Sequence, residues 1–395
     1  MPPMTEIDAF IAPYVGECFP AISLCVYQAG HEILHRAWGW VDPNTKITPA
    51  KPDTRFDLAS LTKLFTTTAL LTLISEGKAE LHTPLVAILP EFGVLTPRPI
   101  DGGQDPHTKI TLPTPEEKIG QFVDPSLVTL YHLLTHTSGL PAWRAVFEAS
   151  GAAPASPIQV DPIPREVRWA RALAALNEYA FVSQPGEEVR YSDIGLMLLG
   201  EAVTRLSGAR DLAEAIQQRV LDPLGLSAST FNPVQAGWAL GDLVPTEIDF
   251  TWRKRRIWGE VHDENADGVG GVAGHAGLFS TAGDVARFGA AWASMQVPGI
   301  APELMAEATS EQEVTGAERR GLGWMIRAHS GSSAGDLFGA RTYGHTGFTG
   351  TSLWIEPDKQ IVVACMTNRV YYGREKEGIY EFRRALHDWL WKAIS

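Results

Sequence analysis

Runs of strand-forming residues lie near both ends of this sequence, and helix-forming runs lie between them. Near the beginning, ISLCVYQ and EILHRAWGWV (22–41) flank a short turn and predict an antiparallel hairpin. Near the end, GTSLWIEP and QIVVACMTN (350–368) flank Asp358-Lys359 and predict a second hairpin. Because strands at the two ends need pairing partners, we expect a single sheet assembled from both termini.

The stretch between the two hairpins has mostly the pattern of helices. Apolar residues recur at helical spacing, and glycines end the runs, at 170–181, 194–208 and 209–225. The sequence therefore predicts one α+β unit over 1–395, in which helices flank an antiparallel sheet and a mainly helical lobe is inserted. The expected bounds are approximately 1–58 and 320–395 for the sheet lobe and approximately 59–319 for the helical lobe.

Two proline-rich stretches, 96–126 and 151–165, interrupt the helical pattern. Loops of this length inside a compact protein are more often functional than simple connections. We therefore expect both loops to shape the pocket that holds the substrate.

Charge and hydropathy exclude several classes of function. The formal net charge of −13 argues against nucleic-acid binding, which depends on Lys and Arg side chains that neutralise phosphates. The one basic run, 253–256, is short and is expected to be a solvated loop. No apolar run reaches the ~18 residues of a membrane span. No signal-peptide pattern opens the sequence, so a cytoplasmic location is expected.

The cysteines and histidines do not predict a metal centre. Cys18, Cys25 and Cys365 are odd in number and lack CxxC spacing, so neither a disulfide framework nor a zinc site is expected, and a reducing compartment fits. His132 and His136 are four residues apart, but no third ligand is specified by the pattern. We expect no metal and no cofactor in the site.

Ser-x-x-Lys occurs twice in one predicted helix, at Ser60/Lys63 and at Ser75/Lys78. The second pair surrounds Gly77 at the end of an apolar run, which is typical of a helix C-terminus. Ser60 instead follows an extended run and opens the helix. There, residues three apart share a face, and free N–H groups stabilise a developing negative charge. Ser60 is therefore the candidate nucleophile, and Lys63 is the group that reaches its hydroxyl.

Two further motifs follow in the chain, Tyr191-Ser192-Asp193 at the start of a helix and His345-Thr346-Gly347 before the C-terminal hairpin. With SLTK at 60–63, their order resembles the SxxK, YxN and KTG motifs of the penicillin-recognising serine hydrolases. That superfamily includes class C β-lactamases, DD-carboxypeptidases and β-lactamase-fold esterases. The segments 132–140 and 261–288 also look like parts of these hydrolases, so the resemblance covers nearly the whole chain. It implies the β-lactamase/transpeptidase-like fold.

The resemblance implies a role for each matching position. Ser60 would be acylated, while Lys63 and Tyr191 would share the work of general base and general acid. The backbone N–H groups of Ser60 and Phe348 would form the oxyanion hole. The positions implied to contact the substrate are Asp193, His345, Thr346 and Gly347.

Two residues depart from the pattern of that superfamily. Asp193 stands where Asn is usual, so a carboxylate that only accepts hydrogen bonds replaces an amide donor, and it could hold Lys63 charged. His345 stands where Lys is usual, and we expect a donor whose charge fades near pH ~6.5. Such a donor is a weaker anchor for the carboxylate of β-lactams and peptidoglycan peptides.

These departures, together with the lack of a visible export signal, favour an esterase or amidase that acts on small acyl substrates. The first alternative is a β-lactamase or DD-carboxypeptidase. The second is a non-catalytic member of the superfamily that only binds a ligand. The expected partner is a small ester, amide or β-lactam, and the oligomeric state stays open.

Three other patterns compete with this interpretation or extend it. The segment 331–335 matches G-x-S-x-G, but it lies in a loop of small residues without the strand that a nucleophile elbow requires. His329-Ser330-Gly331 imitates the third motif without a strand after it. The segment 261-VHDENA-266 either borders the pocket or holds a loop in place.

Overall fold

The computed structural model describes residues 5–106, 108–316 and 318–394. Residues 1–4, on which the expected absence of a leader partly depends, and His107 of the predicted loop 96–126 lie outside the described residues. The predicted N-terminal hairpin is confirmed. Its turn contains Ala29 and Gly30 at φ +49° and +79°, the left-handed conformation that a tight hairpin turn requires.

The strands lie at both ends of the chain and, as short pairs, in its middle. They are β1 Ala21–Gln28, β2 His31–Gly39, β3 Phe56–Asp57, β4 Arg98–Pro99, β5 Phe122–Val123, β6 Thr230–Phe231, β7 Ile248–Asp249, β8 Arg255–Arg256, β9 Leu278–Ser280, β10 Met325–Ile326, β11 Tyr343–Thr346, β12 Ser352–Glu356 and β13 Ile361–Thr367.

The α-helices lie mostly between the two hairpins. They are α1 Thr5–Ile11, α2 Thr62–Ser75, α3 Leu130–Leu134, α4 Val146–Ser150, α5 Arg165–Leu176, α6 Asp193–Ser207, α7 Leu212–Ile216, α8 Asp222–Leu224, α9 Glu264–Gly268, α10 Ala282–Ala293, α11 Pro302–Ala308 and α12 Ile379–Ile394.

The main sheet is assembled from both ends of the chain, as predicted. In the described residues it has six strands in the order β10-β11-β12-β13-β1-β2. Ser23 of β1 lies opposite Met366 of β13 and opposite Ala37 of β2, and all of these pairings are antiparallel. Strands that lie more than 300 positions apart in sequence are therefore neighbours, and the α+β class is confirmed.

Side chains alternate along a strand, so the strands of the sheet present apolar residues to both faces. Helices cover both of these faces. Ile22, Leu24 and Val26 of β1 pack in one core cluster with residues of α1 and α12, among them Phe382. Cys25 faces the opposite side and belongs to the larger cluster, which includes residues of α10. Helix α10 packs on β1, β12 and β13, although it falls within the range 59–319 that the sequence assigns to the helical lobe.

Helix α2 lies in the middle of the molecule and carries the candidate nucleophile at its N-terminal end. Residues 62–73 are all buried, as expected of a helix without a polar face. It packs against α6, and the short sheet β3-β9-β6 supports the turn that precedes it. Among the described helices, none combines the length and the apolar composition needed to cross a bilayer.

Candidate active site

The turn that presents Ser60 is held in an uncommon backbone conformation. Ala59 has φ +47°, a left-handed geometry that costs a non-glycine residue about 1–2 kcal/mol. The buried carboxylate of Asp57 accepts hydrogen bonds from the N–H of Ala59 at 2.8 Å and from the N–H of His262 at 2.6 Å. These two bonds fix the turn, so Ser60 enters the short 3₁₀ segment that leads into α2 with its side chain directed at a cavity.

The turn after β11 docks directly on the nucleophile turn. Thr349 Oγ1 donates to the carbonyl of Asp57 at 2.8 Å, and Thr351 Oγ1 donates to the carbonyl of Leu58 at 2.9 Å. A Cβ atom at Gly347 would lie 2.5 Å from the same Leu58 oxygen, so only glycine permits this approach. The contact places Phe348 on the cavity that Ser60 also lines.

Lys63 is the centre of a compact polar cluster beneath Ser60. Its side chain is 1% exposed. Its Nζ atom donates to Ser60 Oγ at 2.9 Å and to the carbonyl of His275 at 3.1 Å, and it lies 2.8 Å from Asp193 Oδ1. The ring centroid of Tyr191 is 4.8 Å from the same Nζ. The four residues predicted from the first two motifs thus meet around one ammonium group.

The protonation of this cluster follows from burial and from its charges. Burial by itself would lower the pKa of Lys63, but the charge of Asp193, together with the hydrogen bonds of Lys63 to Asp193 and Tyr191, outweighs it and raises that pKa above its usual value. Burial raises the pKa of Tyr191, despite the nearby Lys63 ammonium. At neutral pH Lys63 is therefore an ammonium and Tyr191 a phenol. A base forms only when Lys63 or Tyr191 loses its proton.

Replacing Asp193 with asparagine is expected to shift the pH dependence of activity. Without the carboxylate, burial lowers the pKa of Lys63, because the main opposing charge is gone. The neutral amine then forms at lower pH, so the rising limb of the kcat/KM profile moves towards acid. Profiles between pH 5 and pH 10 would measure the shift. Asp193→Glu keeps the charge and should keep the original limb, whereas a uniform loss in Asp193→Asn without a shift would mean that Asp193 itself accepts the proton.

The start of α6 is anchored so that Tyr191 and Asp193 point at Lys63. Ser192 caps the helix by accepting from the N–H of Gly195 at 3.0 Å. The N–H of Ser192 donates to His136 Nδ1 at 3.0 Å. His136 thus has a structural partner, and His132 forms a capping box with Thr129.

His345 differs from the charged donor that the sequence predicts. It is 1% exposed. Burial lowers its pKa to about 3, and the charges of Lys63 and Arg320 act in the same direction. Its ring lies behind Tyr191, with the two ring centroids 5.9 Å apart, and its Nδ1 is 2.9 Å from the carbonyl of Thr346. The ring is therefore neutral at pH 7, and a titration of His345 near pH 6.5 is no longer expected.

The segment 261–266 borders the cavity. The sequence alone did not decide between this position and a purely structural role. His262, Asp263 and Glu264 all line it. Burial would raise the pKa of Asp263, but the adjacent His275, whose Nε2 is 2.8 Å from Asp263 Oδ1, holds that pKa far below its usual range. His275 was not predicted from the sequence, although it lies in the glycine-rich stretch that follows this segment.

Part of the basic run 253–256 is buried and holds the segment 261–266 in place. The prediction of a solvated loop is therefore wrong for Arg253. Arg253 is buried, pairs with Asp249 and Asp267 at 3.3 and 3.5 Å, and donates to the carbonyls of Val261 and His262. An ion-paired guanidinium thus holds the backbone of the acidic segment against the cavity.

The rim of the cavity carries a network of opposite charges. Arg374 contacts Glu247 Oε1 at 2.6 Å and Glu264 Oε1 at 2.7 Å, and Lys109 lies 3.1 Å from the same Glu264 atom. Apolar surface from Trp143, Phe348 and Pro106 completes a cavity of about 250 Å³. Sequence analysis did not identify Arg374 or Trp143, since neither belongs to a recognisable motif.

The two proline-rich loops have different positions. Pro106 lines the cavity and Lys109 pairs at its rim, so the loop 96–126 shapes the site as predicted. Among the described residues that line this cavity, none belongs to 151–165. Residues of the loop 151–165 instead line a separate cavity of about 380 Å³ with Glu260 and Asp267. The prediction that this loop shapes the substrate pocket was therefore wrong.

The competing serines lie away from the cavity. Ser75 is at the end of α2, where its Oγ accepts from the N–H of Ala301 at 3.0 Å. Ser333 lies in an irregular segment between β10 and β11 with no strand directly before it. The position of Ser60, rather than the spacing it shares with Ser75, distinguishes it.

Known protein families and solved structures match nearly the whole chain. The family model described as Beta-lactamase matches residues 7–387. A curated relative from Escherichia coli K12, named "Putative D-alanyl-D-alanine carboxypeptidase", is 28% identical over 392 residues, which cover 93% of this chain and 82% of that protein.

Solved structures share the fold. The octameric penicillin-binding protein homologue from Pyrococcus abyssi superposes with a TM-score of 0.69 at 22% identity, covering 99% of this chain and 78% of that one. EstCE1, a hydrolase with promiscuous acyltransferase activity, superposes with a TM-score of 0.71 at 20% identity, covering 97% and 98% of the two chains.

Proposed function

Since this chain belongs to the beta-lactamase family of penicillin-recognising serine hydrolases, we propose that it hydrolyses esters or amides of small, uncharged acyl groups through an acyl-enzyme on Ser60. The supporting observation is the pairing of the cations at the cavity. Lys63 pairs with Asp193, Arg374 with two glutamates, and Lys109 with one of them.

This pairing bears on which substrates bind well. A substrate carboxylate is held best by a cation whose charge is not already neutralised. Lys63, Lys109 and Arg374 each already face a carboxylate within 3.1 Å. The neutral His345 supplies no charge either. A neutral acyl group that packs against Trp143 and Phe348 requires no such cation.

The proposed reaction uses the polar cluster under Ser60. Once Lys63 has given up a proton, its amine accepts the proton of Ser60 as the hydroxyl attacks the substrate carbonyl. The N–H groups of Ser60 and Phe348 stabilise the oxyanion. Tyr191, whose phenol is kept protonated by burial, passes a proton to the leaving group and regains one from the Lys63 ammonium. Water then attacks the acyl-enzyme and gives a proton to the Lys63 amine, and that proton returns to the Ser60 oxygen as the acyl product leaves.

A second candidate is a DD-carboxypeptidase, favoured by the name of the relative from Escherichia coli K12. Such an enzyme accepts a peptide that ends in a free carboxylate. In this chain Arg374 is the cation placed to bind that carboxylate, because it lines the cavity. It would have to exchange Glu247 or Glu264 for the substrate.

A matched pair of substrates separates the two candidates. We expect an acyl-D-alanyl-D-alanine carboxamide to be cleaved with a kcat/KM at least equal to that of the peptide with a free carboxylate, and p-nitrophenyl esters of short acyl chains to react faster than a chromogenic cephalosporin. Glu264→Gln weakens the pairing of Arg374, so it should raise the relative rate of the carboxylate form. A preference of about tenfold or more for the free carboxylate in the unmodified enzyme would favour the carboxypeptidase instead.

A further inference from the structure

Three metal-ligating side chains meet at the edge of the main sheet, on the hairpin formed by β1 and β2. They are Cys25, Glu32 and His35, and their sulfur, carboxylate and ring-nitrogen atoms all lie within 4.8 Å of one another. We propose that these residues bind a divalent transition-metal ion of the zinc type, away from the cavity that holds Ser60. The proposal is independent of the proposed hydrolase activity.

A β-bulge brings the three donors to one face of the hairpin. Cys25 lies directly opposite His35, so these two side chains share a face. The register shifts at Val26/Tyr27, and Glu32 thereby lies opposite Tyr27. In a regular hairpin, Glu32 and His35, three residues apart, would point to opposite faces. The extra residue in β2 reverses the direction of Glu32, and bulges commonly redirect a side chain in this way.

The distances and the tautomer of His35 suit a metal ion. Glu32 Oε2 lies 3.8 Å from Cys25 Sγ and 3.5 Å from His35 Nδ1. Neighbouring ligands of a tetrahedral zinc ion are separated by about 3.3–3.7 Å, as bond lengths of about 2.0–2.3 Å require. His35 Nε2 is 3.3 Å from the carbonyl of Pro52. A carbonyl only accepts, so Nε2 carries a proton, and Nδ1 is the ring nitrogen that can bind a metal ion.

This geometry leaves a position that a cation would stabilise. His35 Nδ1 and Glu32 Oε2 face each other at 3.5 Å, and a metal ion bound between them would contact both atoms. A thiolate, an imidazole and a carboxylate are a ligand set that zinc accepts, with water in the fourth position. On binding, the S–H bond of Cys25 breaks, the sulfur binds the metal, and the proton leaves to solvent.

The surroundings permit entry of an ion from the open edge of the sheet. Glu32 and His35 are partly exposed, with side-chain exposures of 46% and 24%, whereas Cys25 is buried behind them. Arg287 of α10 is the nearby cation, and its guanidinium is engaged by Asp284 and by the carbonyl of Gly225.

A second group of donors in the described residues, Asp193, Asp263 and His275, belongs to the cavity of Ser60. There the ammonium of Lys63 already lies 2.8 Å from Asp193. That group therefore carries no metal proposal here, but it must be controlled for in any binding experiment.

Titration of the protein with Co²⁺ under reducing conditions tests the proposal. We expect about one equivalent to give a thiolate-to-cobalt charge-transfer absorption in the near ultraviolet, which Zn²⁺ then displaces. The band should be lost in Cys25→Ala, and the affinity should fall by at least about tenfold in the surface variants Glu32→Gln and His35→Gln. Zn²⁺ should also raise the melting temperature of the unmodified protein but not that of His35→Gln.

Two controls decide the outcome. Cys365→Ala removes a buried thiol of the same sheet, and Asp263→Asn removes a donor of the other group; both should keep the band. Absence of a charge-transfer band in the unmodified protein would overturn the proposal. A band that survives in both Glu32→Gln and His35→Gln with unchanged affinity, or one that disappears only in Asp263→Asn, would do the same.

Discussion

Replacement of Ser60 by alanine is expected to lower kcat for ester hydrolysis by about 10⁶-fold, the order of magnitude lost when the nucleophilic serine of a serine protease is removed. Ser60 Oγ is the hydroxyl that accepts from Lys63 Nζ at 2.9 Å and borders the cavity. The substitution removes one oxygen atom from a turn whose backbone is held by Asp57 and Thr351. The fold should therefore persist, as a melting curve would show. Labelling with a fluorophosphonate, followed by intact-mass measurement, should detect an adduct only in the unmodified protein.

Two serines provide matched controls for this loss. Ser75→Ala removes the other Ser-x-x-Lys serine together with its hydrogen bond from Ala301, which is worth about 0.5–1.5 kcal/mol of stability. Ser333→Ala removes the serine of the G-x-S-x-G match. Both variants should keep full activity and full labelling. Activity that survives in Ser60→Ala but disappears in Ser333→Ala would reject the proposed mechanism.

Replacement of Lys63 by methionine is expected to lower kcat/KM by about 10²- to 10⁴-fold, as is typical when a group that transfers protons is removed. Methionine keeps the length and the apolar stem of the side chain, but it cannot exchange a proton with Ser60. The loss should appear in kcat more than in KM, because the amine acts in the transition state. Steady-state kinetics on a short-chain p-nitrophenyl ester would measure both parameters.

The double variant Lys63→Met/Asp193→Asn separates proton transfer from charge balance. If the ammonium only neutralises Asp193, 2.8 Å away, then removing both charges should restore activity. If Lys63 transfers the proton, the double variant stays as slow as Lys63→Met. We expect the second result, and recovery to within about tenfold of the unmodified rate would contradict it.

Much of the fold was predictable from local patterns. The alternation in ISLCVYQ and the turn that follows specify the first hairpin, and Gly208 ends the helix Asp193–Ser207. The packing of Ala282–Ala293 on the sheet was not predictable, because the amphipathic pattern of a helix shows that one face is buried but not against which partner. The loop 151–165 was wrongly assigned to the substrate pocket, because its proline content predicts a loop but not the cavity that the loop borders.

The candidate site was predictable as far as its motifs extend. Ser60, Lys63, Tyr191 and Asp193 stand in a recognisable order, and the structure brings them around one ammonium group. Asp57 and Arg374 have no motif of their own. Asp57 becomes important only because its carboxylate reaches the backbone of His262, more than 200 positions away.

By itself, the sequence predicted which residues are candidates for the chemistry and which segments form most of the strands and helices, since residue type, spacing and turn residues are local properties. Only the tertiary structure decided their charge states and pairings. His345 is neutral because burial and two distant cations oppose its protonation. Lys63 is charged because Asp193, brought in by another helix, outweighs its burial. Burial and ion pairing depend on contacts between distant parts of the chain, and no local pattern specifies them.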